Sequence, residues 1–118
     1  MNHIDTEAIV AVQQENQNRF KTTVFHPLSD PIRLEIVAYL RDEEKCVCEI
    51  VPHLNLIQPL ISRHLKILKD AGIVRSRKDG TKRMHSIVDP RIFNVIDALT
   101  SELVSTLLKE VFENMTCR

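Results

Sequence analysis

Apolar positions recur at helical spacing in two short runs between Cys46 and Gly72. Val47, Ile50, Val51 and Leu54 mark one face, Asn55-Leu56-Ile57-Gln58 interrupts it, and Leu60, Ile61, Leu65, Ile67 and Leu68 resume it. The pattern predicts two short helices joined by a tight turn, with Pro59 at a first helical position and Gly72 as the stop. Upstream, residues 6–24 mix helix formers with scattered apolar positions and predict an edge helix that His26-Pro27 breaks. Leu28-Ser29-Asp30-Pro31 then reads as a helix start, with Asp30 or Ser29 as N-cap, and Ile32, Leu34, Ile36, Val37 and Leu40 carry that helix to about Arg41. Downstream, residues 73–88 read as two strands about Asp79-Gly80, a turn whose central residues both need positive φ. Asp89-Pro90 opens a final helix, 90–115, whose apolar residues cover more than one face.

This order is that of a winged helix-turn-helix: mainly α with a small β-hairpin, in a single domain. Residues 1–27 are an N-terminal arm and helix, 28–88 the winged core, and 89–118 a C-terminal dimerisation helix. A terminal helix so apolar has more to bury than its own core covers, so a C2 homodimer through it is expected, with the first helix contributing. Two reading helices in such a dimer fit a palindromic DNA site whose half-sites lie roughly 34 Å apart.

Charge sharpens the picture. The chain is neutral overall, yet residues 61–85 hold eight of the sixteen Lys and Arg and only Asp70 and Asp79 among the acids, a net +6 against −6 elsewhere. That asymmetry is the footprint of a polyanion on one face. Gln58, Ser62, Arg63, His64 and Lys66 supply the polar face of the second helix, which suits phosphates and base edges. Arg75, Arg77, Lys78, Lys82 and Arg83 make the hairpin basic enough to lie along a backbone. No apolar run spans a membrane and the N-terminus carries no signal pattern, so a cytoplasmic protein with no membrane partner is expected.

Three cysteines fit reduced thiols better than a disulfide framework. Cys46 and Cys48 open the first helix of the pair, where the helix N-terminus and Lys45 favour thiolate. Inside a helix their side chains would diverge by about 200°, so both face one ion only if the first sits before the helix or the first turn is distorted. Soft thiolates select arsenite, antimonite, cadmium, lead or copper(I), with zinc as a further divalent candidate. Cys117 is a candidate third ligand.

The motifs LSDPIRLEIVAYL, CVCEI, IQPLISRHLKILKDAGIV and the basic hairpin, taken in that order, resemble the arsenic-repressor (ArsR/SmtB) family of winged-helix metal sensors. The resemblance runs from Leu28 to Ile87. It implies a homodimeric repressor that holds operator DNA when metal-free and leaves it on binding an inducer, with Cys46 and Cys48 as ligands and Gln58, Ser62, Arg63 and His64 on the recognition helix. Val51 stands where arsenite sensors have a third Cys, and the N-terminal arm lacks the cysteines of cadmium-type members. The zinc-type site is absent, because Asp89 is followed by Arg91 rather than a His. Ile57 replaces the usual Ser N-cap, which leaves capping to Asn55 or Gln58.

Two other functions compete. One is a thiol switch on the same fold that responds to oxidants or reactive sulfur. The other is a winged-helix protein-interaction module with inert cysteines. No nucleophile–base pair or carboxylate dyad supports an enzyme, and no organic cofactor is implied.

Overall fold

The computed structural model describes residues 5–15 and 17–116. In chain order its elements are α1 (Thr6–Glu15), α2 (Gln17–Leu28), α3 (Pro31–Tyr39), β1 (Lys45–Cys46), α4 (Val47–Leu54), α5 (Gln58–Asp70), β2 (Val74–Asp79), β3 (Lys82–Ile87), α6 (Ile92–Asp97) and α7 (Ser101–Thr116). They fall into two compact units, Met1–Val88 and Asp89–Arg118.

Asp30 organises the start of the first unit's core. Its backbone is extended, and its Oδ1 accepts from the amides of Ile32 at 2.8 Å and Arg33 at 3.1 Å, pairing two of the donors a helix start leaves open. The Arg33 and Ile32 amides hold its carboxyl below the usual carboxylate range. α3 then turns Ile36 and Val37 inward, and they pack in one core with Leu40, Ile50 of α4, and Ile61, Leu65 and Leu68 of α5. Each such side chain contributes roughly 1.5–3 kcal/mol by leaving water. Ile73 and Val74 close the core from the sheet side.

Three expectations need correction here. Pro27 does not break the first helix: α2 runs through it to Leu28, both residues are buried, and the Pro27 carbonyl accepts from Arg33 Nε at 2.6 Å. α3 ends at Tyr39 rather than Arg41. The hairpin turn lies one residue later than expected, since Asp79 pairs with Lys82 and leaves Gly80-Thr81 as the two-residue loop. Gly80 has φ +64°, and Thr81 needs no positive φ, as in loops with Gly at the first position.

A third strand joins the wing. β1 pairs antiparallel with β3, giving the order β1-β3-β2 with Lys45 opposite His85 and Cys46 opposite Met84. In the second unit the expected single helix 90–115 is two. α6 ends at Asp97, and Thr100 restarts the chain by accepting the Leu103 amide on its Oγ1 at 3.2 Å and the Val104 amide on its carbonyl at 2.9 Å. α7 buries none of its residues. Among the described residues no helix is long and apolar enough to cross a membrane.

Candidate nucleic-acid interface and thiol site

The turn between α4 and α5 is built by Asn55, whose left-handed backbone (φ 55°, ψ 45°) ends α4. Ile57 occupies the α5 N-cap with extended backbone and no side-chain cap bond, so neither Asn55 nor Gln58 takes over capping. Pro59 limits the loss, because it lies in the first turn and brings no N–H to satisfy. Along α5, Ile61, His64, Leu65 and Leu68 are buried, whereas Gln58, Ser62, Arg63, Lys66 and Lys69 are exposed.

His64 therefore does not stand on the reading face, contrary to expectation. The residue is 9% exposed, and its Nδ1 lies 3.1 Å from Arg33 Nη1. Arg33 is in turn anchored on the Pro27 carbonyl, so His64 braces α5 against the α2–α3 junction. The guanidinium can only donate, so Nδ1 is the acceptor.

The five wing cations divide between the two faces of the sheet. Lys78 lies opposite Arg83 and Ser76 opposite His85, which puts Lys78, Arg83 and His85 on one face. Arg75, Arg77 and Lys82 alternate onto the other. Arg77 is also engaged: its Nε donates to Glu44 Oε2 at 2.9 Å and its Nη2 to Glu44 Oε1, which lowers the Glu44 pKa. His85 is 6% exposed and lines a cleft of about 350 Å³ between α5 and β3. Burial, then the charges of Lys69 and Arg83, push its pKa down.

The cysteine pair meets the geometric condition read from the spacing. Cys46 is the N-cap of α4 and extended (φ −84°, ψ 163°), Cys48 lies in the first turn, and their Cα atoms are 5.1 Å apart. The two sulfurs are joined as a disulfide, where reduced thiols were expected; the extended N-cap is what lets side chains two residues apart meet. Cys46 is 2% exposed, whereas Cys48 is open to solvent. Glu49 is the residue that sequence reasoning missed. Its carboxylate and both sulfurs lie within 4.8 Å of one another, and its Oε1 accepts from the Cys46 amide at 3.2 Å. The signal was legible as a capping-box spacing, with Glu three residues after the cap. Cys117 lies outside the described residues. His53, set apart from the pair, stacks on Tyr39 with ring centroids 3.7 Å apart. Asp89 is held by Arg91 through its Nε, Nη2 and amide, which brings its pKa to about 2.

Residues 30–76, which carry the Asp30 cap, both helices of the turn and the start of β2, match the arsR family of bacterial regulatory proteins. An HTH-type transcriptional regulator of Methanocaldococcus jannaschii is 46% identical over 74 residues, covering 62% of this chain and 83% of that one. The chain belongs to the arsR family. An arsenical resistance operon repressor of Staphylococcus aureus is 40% identical over 78 residues, 63% of this chain and 75% of that repressor. The repressor SmtB of Mycobacterium tuberculosis, another curated relative, is matched over about half its length. In fold, the chain is similar to a homodimeric winged helix-turn-helix DNA-binding domain of Mycobacterium bovis. The TM-score is 0.70 at 21% identity, over 90% of this chain and 95% of that one. As an arsR-family protein the chain is a DNA-binding transcriptional repressor and not an enzyme.

Proposed function

We propose that this arsR-family chain is a homodimeric repressor that leaves a palindromic operator when a thiophilic species engages reduced Cys46 and Cys48. Arsenite and antimonite rank first, and cadmium, lead and zinc follow. The observation that carries the reading is the convergence of two sulfurs and the Glu49 carboxylate within 4.8 Å at the start of α4, the helix that leads into α5. The donor set fits such a ligand, because two soft sulfurs dominate and the carboxylate already has a structural role. Arsenite would condense with the two thiols, forming two S–As bonds and releasing two waters, and a third donor would come from Glu49, Cys117 or an exogenous thiol. Cys46 also pairs across the ladder with Met84 of β3, so a change at the thiols reaches both the reader and the wing. The arsenical resistance repressor among the relatives supports the choice of inducer.

On this reading Gln58, Ser62, Arg63 and Lys66 face the groove, and Arg75, Lys78, Lys82 and Arg83 follow the backbone, with Arg77 held partly in reserve by Glu44. α7 forms the dimer, with the N-terminal helices contributing. Anaerobic titration of the reduced protein with arsenite, and separately with cadmium, tests the inducer. A saturating thiolate-to-metal absorption, lost in Cys46→Ser, is expected; no absorption with either ion would overturn it. Weakening in Cys117→Ser would identify the tail as third donor.

The disulfide favours a second reading, a thiol switch. Two thiols would lose two electrons and two protons to a hydroperoxide, which is reduced to water and an alcohol, as the S–S bond forms. Under this reading DNA release would need an oxidant and would be reversed by a reductant, with arsenite having no effect.

A further inference from the structure

Tyr39, at the end of α3, receives one side chain from each end of α4. His53, in the last turn of that helix, stacks on its ring with centroids 3.7 Å apart and planes 10° apart. Lys45, the residue before the Cys46 N-cap, sets its Nζ over the same ring, 4.9 Å from the centroid. Stacking and cation–π attraction are each modest, but both depend on ring geometry and weaken when a partner shifts. The ring has a fixed support, because Ile36, Val37 and Leu40 root the end of α3 in the core.

α4 depends on support from outside its own ladder. It is eight residues long, and Pro52 has no N–H to give the Cys48 carbonyl, so the ladder is interrupted one turn after the thiol pair. Asn55 then ends the helix in left-handed backbone and leads into α5, so the position of His53 bears on where the reader begins. At the other end Lys45 has little freedom. Its side chain is 13% exposed, its Nζ is paired with Glu43, and its backbone lies in the ladder opposite His85. A shift of Cys46, the next residue, is carried to Lys45 along the strand.

On the thiol reading proposed above, we infer that Tyr39 is a positioning residue that couples Cys46 and Cys48 to the turn between α4 and α5. Lys45 carries a change at the thiols into the ring contact, and His53 carries it from the ring to the end of α4. Both contacts are made to the ring rather than to the hydroxyl, so phenylalanine serves at this position and an aliphatic side chain does not.

The chain has one tyrosine and no tryptophan, so tyrosine emission of the full-length protein reports Tyr39 alone. The reduced protein is titrated with arsenite without oxygen while thiolate absorption and tyrosine emission are read together. Duplex affinity is then measured by anisotropy with and without saturating arsenite. The emission is expected to change with the same midpoint as the absorption and to stay constant in Cys48→Ser. Tyr39→Phe should keep an arsenite-induced loss of duplex affinity of about tenfold, whereas Tyr39→Leu should reduce that loss to about twofold, with arsenite absorption and metal-free affinity close to wild type. His53 is exposed, so His53→Ala should fold and should reduce the loss to about threefold, which keeps the test decisive if Tyr39→Leu does not fold. Saturating absorption with silent emission, or a full arsenite-induced loss in His53→Ala or Tyr39→Leu, would overturn the coupling and leave the thiol reading standing. No arsenite absorption would remove the thiol reading and the coupling with it.

Discussion

α5 and α7 are both amphipathic in sequence, and they end up with opposite surfaces. α5 consumes its apolar stripe within its own unit, burying Ile61, His64, Leu65 and Leu68 and turning Gln58, Ser62, Arg63 and Lys66 to solvent. α7 buries nothing, and leaves Leu107 at 53%, Phe112 at 66% and Met115 at 71% exposure. A stripe spent on the core leaves a polar face free for a polyanion. An unspent stripe of this size on a small chain is the surface proposed above for a second copy.

The largest effect should come from breaking the buried stripe. Leu68→Ala is expected to cost about 2–5 kcal/mol and lower the melting temperature accordingly, since Leu68 is fully buried. Leu107→Glu/Val111→Glu, by contrast, should leave the far-ultraviolet circular dichroism close to wild type and convert the proposed dimer to monomer in sedimentation. A variant that stays dimeric would move the interface elsewhere. Smaller effects separate the two groups of wing and reader cations. Arg63→Gln should weaken duplex binding by about 1–3 kcal/mol if it reads a base, or lower the salt slope by about one if it contacts a phosphate. Arg77→Gln should do less, because Glu44 already holds that side chain.

pH gives the smallest effects, of two kinds. Asp30 has a lowered folded-state pKa, so its contribution is present above about pH 4 and is lost as pH falls through the folded value. Asp30→Ala should cost about 1 kcal/mol at pH 7 and progressively less in acid. His85 also has a lowered folded-state pKa, but it is a base. The unfolded chain takes up its proton first, so stability should fall as pH drops through about 6.5, and His85→Gln should flatten that slope. Urea melts at pH 8 and pH 5 measure the His85 slope, and melts at pH 5 and pH 3 measure the loss of the Asp30 contribution.

Much of this fold is written in spacing. The stripes of α3 and α5, the Asp30 cap and the basic hairpin follow from local periodicity and turn chemistry, which act within a few residues. What was not legible depends on partners distant in the chain. β1 is two residues long and exists only because β3 offers it a ladder, and Pro27 remains helical while its carbonyl accepts from Arg33. The His64 misreading was avoidable: Ile61, His64, Leu65 and Leu68 fall at i, i+3, i+4 and i+7, so the ring shares the core stripe. The split of the wing cations needed the register, and a one-residue shift of the turn from Asp79-Gly80 to Gly80-Thr81 is enough to change which side chains lie opposite.

On the proposed function, the thiol site at the start of α4 controls the reader that follows. The most direct test of that control is the affinity of the reduced protein for a duplex it has selected from a random pool, measured by anisotropy without oxygen, with and without arsenite. Arsenite is expected to weaken wild-type binding by about tenfold or more and to leave Cys48→Ser unchanged, with a chelating dithiol restoring affinity. Unchanged wild-type binding, or an equal loss in Cys48→Ser, would contradict the account.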